Sequence, residues 1–196
     1  MWIALAVLVV LFLLLQIKNY MAANKTHQQP YTVIKTEPEF EIRFYPPVIM
    51  ASVSTVAKSY KELGNTGFRQ LAAYIFGGNT TKQHIAMTAP VHMDMTDSLS
   101  TMRFVMPSMS NMDNLPKPIA KNVVIETSNS EYVAAVTFGG FASEKIIDAQ
   151  ADILMAALKR HAISYQGNCR FLGYDPPYRL VGRKNDIIVT IEWPKK

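Results

Sequence analysis

The chain has 196 residues, 49% of them apolar and 18% charged, with 20 Lys and Arg against 15 Asp and Glu. That balance excludes wholesale disorder, and the formal charge of +5 is too scattered to form a nucleic-acid track. Cys169 is the single cysteine, which excludes an internal disulfide framework and a Cys-x-x-Cys metal site.

Trp2 to Leu15 is an unbroken apolar run with no polar face. Its length lies between a signal-peptide core and a short membrane span. No basic n-region precedes it, and Tyr20-Met21-Ala22-Ala23 is a poor cleavage site. Residues 1–17 are therefore read as an uncleaved membrane anchor in preference to a signal peptide. Lys18 and Lys25 would keep the following domain in the cytoplasm by the positive-inside rule, whereas export is the commonest use of such a segment. The two signals disagree, and the side stays open. Residues 18–30 are polar and end in Pro30, as a tether does; His27 within it reads as solvated.

From Tyr31 onward, short strands alternate with two helices. Residues 40–44 and 48–56 carry strand patterns. Tyr60, Leu63, Gly67, Leu71 and Tyr74 recur at helical spacing, Phe68, Ala72 and Ile75 widen the stripe, and Gly77-Gly78-Asn79 stops the helix. Residues 85–88 and 102–106 read as strands, and 107–121, with three prolines, as a loop. A strand at 132–138, a helix from N-cap Ser143 to about His161, and strands at 169–174 and 187–192 complete the chain. Segments 49–90 and 133–176 lie over each other, which indicates a duplicated strand–helix–strand–strand unit. The expected fold over 31–196 is α+β: a distorted β-barrel or curved antiparallel sheet with two flanking helices.

Several blocks then point to a family. They are Glu41-Ile42-Arg43 with Tyr45, Gly67-Phe68 through Gly77, Ile85-Ala86-Met87-Thr88-Ala89-Pro90-Val91, and Phe104-Val105-Met106-Pro107. Phe138-Gly139-Gly140-Phe141-Ala142, Gly173-Tyr174-Asp175-Pro176-Pro177 and Gly182-Arg183-Lys184-Asn185-Asp186 follow in order. Together they resemble the SOUL haem-binding family from about Tyr31 to the C-terminus. The resemblance implies a distorted barrel with two helices, and reversible, non-covalent binding of haem or another tetrapyrrole without catalysis. It also implies a shallow apolar groove on the first helix, pointing to Phe68, Leu71, Ala72 and Ile75, with Phe44 and Met87 in the same apolar set.

Haem is a flat, mainly apolar disc with two propionates and an iron, so it needs an apolar slot, rim cations and optionally an axial ligand. Lys61, Arg69 and Arg179 are the propionate-pairing candidates. Some members carry a histidine in the Glu-Ile-Arg strand as the proposed axial ligand; this chain has Phe44 there, so no iron–imidazole bond forms at that position. His84 and His92, which flank the Met-Thr-Ala-Pro-Val block, remain as axial candidates. For each of these positions the ordinary alternative is core packing or a solvated charge.

His161 is explained as a helix C-terminal cation. Seven methionines between Met87 and Met112 suit an adaptable apolar surface or, by the Met93-x-Met95 and Met109-x-x-Met112 spacings, Cu(I). No nucleophile elbow, His-Glu-x-x-His or Gly-rich phosphate loop is present, so a binding protein, not an enzyme, is expected. A tethered module for an apolar peptide, or a small-molecule hydrolase, are the alternatives. The expected partners are haem or another tetrapyrrole and the membrane, with no nucleic acid, and the chain is expected to be a monomer.

Overall fold

Amphipathic strands bury one face only against a second layer, and two helices with one apolar stripe each can supply it. The computed structural model describes residues 26–96 and 98–193, together with Trp2, Leu5 and Val7. The expected anchor over 1–17 and the first part of the tether otherwise lie outside the described residues. Among the described residues no helix is long and apolar enough to cross a membrane.

In chain order the elements are β1 (Thr32–Thr36), β2 (Glu41–Tyr45), β3 (Ile49–Thr55), α1 (Tyr60–Ile75), β4 (Val91–Asp94), β5 (Ser100–Val105), β6 (Val123–Thr127), β7 (Glu131–Gly139), α2 (Glu144–Arg160), β8 (Tyr165–Gly173) and β9 (Lys184–Ile191). The strands form one antiparallel sheet in the order β1-β2-β7-β9-β8-β4-β5-β3-β6. Its edges are β1 and β6. The α+β class holds, as a curved sheet under two helices, and no ladder between the described strands closes it into a barrel.

The expected duplication is present. β3–α1–β4–β5 and β7–α2–β8–β9 fold into pieces with matching strand order, β3-β5-β4 and β7-β9-β8, joined through β4 and β8 by the pairs Val91↔Gly173 to Asp94↔Arg170. The strand leading each repeat crosses to the other one. β2, ahead of β3, pairs with β7, and β6, ahead of β7, pairs with β3.

The expected strand at 85–88 is absent, because that segment spends its hydrogen bonds elsewhere. The Thr88 hydroxyl donates to the Val105 carbonyl, and the Ala89 N–H donates to the His27 carbonyl at 2.9 Å. The Gln29 N–H returns to the Ala89 carbonyl at 2.8 Å. Pro90, after a cis peptide bond, has no N–H to give a ladder, and pairing starts at Val91. Residues 27–29 thus form a strap that belongs to the fold, with Gln29 buried, and the tether ends before His27.

Ser59 caps α1 by accepting the Glu62 N–H at 3.1 Å. Leu63, Gly67, Leu71, Tyr74 and Ile75 form its buried face. Gly67 permits a close approach: a Cβ there would lie 3.1 Å from Met102 Cβ. Gly77, at φ +106°, turns the chain out of the helix. The fully buried Asn79 then ties that turn together, donating to the Tyr74 and Gln83 carbonyls at 3.0 and 2.7 Å. α2 buries Ile147, Leu154, Ala157 and Leu158. Each large side chain so buried contributes about 1.5–3 kcal/mol. Met93, Met102 and Met106 belong to this core, whereas Met109 and Met112 lie exposed on the 107–121 loop. A smaller cluster of Tyr45, Val133, Ala135, Leu172 and Ile188 forms separately from the helix-covered core.

Candidate functional site

One edge of α1 is covered and the other is not. On the covered edge, Tyr74 donates its hydroxyl to the Pro116 carbonyl at 3.0 Å, and Gln70 accepts from the Asn122 amide. Phe68, Ala72 and Phe76 recur every fourth residue along the opposite side, where helical neighbours align. Phe68 is 36% exposed, with its ring edge-on to Phe104 at 5.3 Å; Phe76 is 57% exposed.

Phe104 pairs with Val91 on β4, and Val91 pairs with Gly173 on β8. This row leads from beneath Phe68 to the root of the loop joining β8 to β9. That loop presents Tyr178, Leu180 and Val181 to solvent. It is braced from within. The Asp175 carboxylate accepts Arg179 Nη1 and the Lys184 N–H, both at 2.6 Å. Arg183 donates to the Asp175, Pro176 and Arg179 carbonyls and lies over the Phe141 ring.

The residues expected from the sequence divide. Phe68 and Ala72 lie on the uncovered edge. Met87 is exposed two residues after Ile85, whose N–H bonds the Ile75 carbonyl at 2.8 Å and so sets this segment beside the end of α1. Leu71 and Ile75 are instead sealed in the core, because their helical positions face the sheet. Phe44 is remote from α1: β2 is separated from the strands beneath that helix by β7, β9 and β8, and Phe44 packs on Tyr132 at 5.0 Å.

Lys61 and Arg69 are exposed on α1. Arg179 is buried and engaged by Asp175. His84 is exposed, its ring 6.2 Å from Phe76. His92 is 2% exposed, with Nε2 2.7 Å from Gln29 Oε1. Burial, helped by the Arg170 and Arg103 charges, pushes its pKa down to about 3, so it is neutral, with Nε2 taken by Gln29. Phe76, Tyr178, Leu180 and Val181 were not among the expected groove residues. Phe76 had a signal, standing four residues after Ala72; the loop residues had none, since their exposure depends on the internal bracing of the loop.

Among the described residues no group of three or more His, Cys, Asp or Glu side chains could hold a metal ion. Burial and the neighbouring Asp152 push the Cys169 thiol up to about 11, which leaves it protonated and unreactive. The blocks that point to a family are largely one another's partners. Arg43 Nη1 donates to Asp186 at 2.7 Å, Tyr174 donates to the same carboxylate oxygen at 2.7 Å, and Asn185 donates to the Gly140 carbonyl at 2.9 Å. Burial and the Asp186 carboxylate raise the Tyr174 pKa, so this phenol remains a donor.

The sequence profile described as SOUL heme-binding protein matches residues 26–190. Heme-binding protein 2 of Homo sapiens is 29% identical over 156 residues, 76% of this chain and 76% of that one. Heme-binding protein 1 of Xenopus laevis is 27% identical over 181 residues, 87% of this chain and 95% of that one. Among solved structures, the EcmrR C-terminal domain aligns with a TM-score of 0.59 at 8% identity, over 83% of this chain and 98% of that one. A hydrolase from Listeria innocua aligns with a TM-score of 0.56 at 11% identity, over 81% and 94%. At these identities the two structures share the fold alone.

Proposed function

The chain belongs to the SOUL heme-binding protein family, and from that membership we propose that it binds haem or a related tetrapyrrole reversibly and without a covalent bond, as a carrier or buffer. The observation that carries the reading in this structure is the uncovered apolar edge of α1. A macrocycle laid along Phe68, Ala72 and Phe76 removes apolar surface from water on both partners. Lys61 and Arg69 on the same helix supply propionate partners; Arg179 is already engaged by Asp175. Tyr178, Leu180 and Val181 would meet the far side of the disc. His84, its ring 6.2 Å from Phe76, is the axial candidate beside this edge; Phe44 has no donor atom and His92 is bound to Gln29. The apolar run 2–15 would tether the domain to a membrane, which is tested by carbonate-resistant membrane association that disappears on deleting residues 1–17.

The test of ligand binding is a haem titration of the full chain in detergent, followed by Soret absorbance. Wild type gives a saturable band, and Phe68→Glu weakens it about tenfold or more, equivalent to about 1.4 kcal/mol. His84→Ala moves the band maximum and His92→Gln does not. Absence of a saturable band would overturn haem binding. An unchanged affinity in Phe68→Glu would remove the site from α1.

A further inference from the structure

Away from α1, the strap carrying His27 to Pro30 passes the start of β3 and the ends of β5 and β6, and closes a pocket of about 310 Å³. That volume lies at the lower end of the range for small-molecule sites. Val48, Ile49, Val105 and Met106 give it an apolar lining, with Ser108 and Thr127 among its polar residues. Among the described residues no Lys, Arg, Asp or Glu lines it, and His27 is its one titratable side chain. A charged ligand would lose its hydration there and meet neutral polar groups and the His27 imidazole in place of a permanent counter-charge.

One polar group in the wall is unused. Gln29 is 5% exposed, and its amide oxygen accepts from His92 Nε2. Its amide nitrogen has no hydrogen-bond partner among the described residues. It is not among the sealed unpaired polar side-chain atoms of the described residues, so it keeps some accessibility, and Gln29 is a lining residue of this pocket. A donor at the wall of an apolar pocket with no protein acceptor is free to bond an acceptor brought by a ligand.

We infer that this pocket is a second ligand site, for an uncharged, mainly apolar molecule carrying one hydrogen-bond-accepting oxygen that the Gln29 amide recognises. The site is independent of the α1 edge. Its wall is the strap, held through backbone bonds to Ala89 and the Gln29–His92 pair, so occupancy also secures the segment leading to the N-terminus.

Benzophenone, an uncharged apolar ketone, is a suitable probe because irradiation attaches it covalently where it is bound. The full chain is irradiated over a range of probe concentrations and the labelled peptides are mapped by mass spectrometry. Saturable labelling is expected in peptides containing residues 48–49 and 105–107. Ser108→Trp and Thr127→Trp, which fill the pocket from two walls, should each weaken it about tenfold or more while keeping the wild-type circular dichroism and haem titration. Gln29→Met keeps the bulk but removes both the donor and the oxygen that holds His92, and should weaken labelling about threefold or more beyond any change in His92→Gln, which disturbs the same pair and keeps the donor. Labelling that does not saturate, that maps to α1, or that survives both tryptophan variants overturns the site. Unchanged labelling in Gln29→Met overturns the role of the oxygen. A wild type that labels but gives no Soret band would sink the haem reading and leave this one standing.

Discussion

At the scale of single residues, burial decides what each histidine can do. His92 on β4 is neutral because burial excludes the charged form and Arg170 and Arg103 reinforce that exclusion. In the unfolded chain its pKa returns to the ordinary value near 6.5, so as pH falls the unfolded state takes up the proton first. The stabilisation tied to neutral His92 is therefore fully present above about pH 6.5 and is lost progressively toward about pH 3. Between about pH 7 and pH 4.5 it amounts to about 2–3 kcal/mol. Urea midpoints at these two pH values should show a loss of that order in wild type and a smaller loss in His92→Gln; equal slopes would contradict the assignment. Periodicity alone could not distinguish Phe68 from Leu71. The stripe on α1 was legible, but which edge stays uncovered is set by Tyr74 and Gln70 reaching the distant 116–122 segment.

The two helices carry nearly equivalent starting signals with different consequences. Ser59 bonds the Glu62 N–H, whereas Ser143 stands at the N-cap of α2 without a side-chain cap bond. Ser59→Ala should lower stability by about 1 kcal/mol and Ser143→Ala by only a few tenths, measured by chemical denaturation. A larger effect at Ser143 would contradict this. Both helices were legible because long apolar stripes with Gly or Ser boundaries are local signals. The short strands were not. β1 is exposed at all five positions and shows no alternation, and β4 has four residues placed directly after Pro90. Residues 85–88 read as a strand by composition, yet that segment runs into Ala89, which is consumed in gripping the strap at His27 and Gln29. No local pattern reports a partner some sixty residues away.

For the whole molecule, the exchange of β2 and β6 between the repeats makes each half incomplete alone. A fragment ending in the 107–121 loop contains β2 with β1 but lacks β7, which joins them to the rest of the sheet, and the remainder contains β6 without β3. Each fragment alone should show little cooperative structure by circular dichroism, and an equimolar mixture should regain it; an independently folded N-terminal fragment would contradict the account. The duplication was visible in the spacing of the two halves, because each repeat encodes its own strand–helix–strand–strand order. The exchange was not, since it is a property of pairing across the sheet. The family blocks were legible for a related reason. Arg43, Tyr174, Asn185 and Asp186 hold the shared fold together, so they mark family membership more plainly than they mark a ligand site.

The most direct test of haem binding at α1 is backbone amide NMR of the isotope-labelled chain during haem titration. Shifts and broadening concentrated on Phe68, Ala72, Phe76 and His84, extending to the 178–181 loop, are the predicted result. Perturbations centred on β2 around Phe44, or on the strap and residues 105–110, with α1 unmoved, would contradict it.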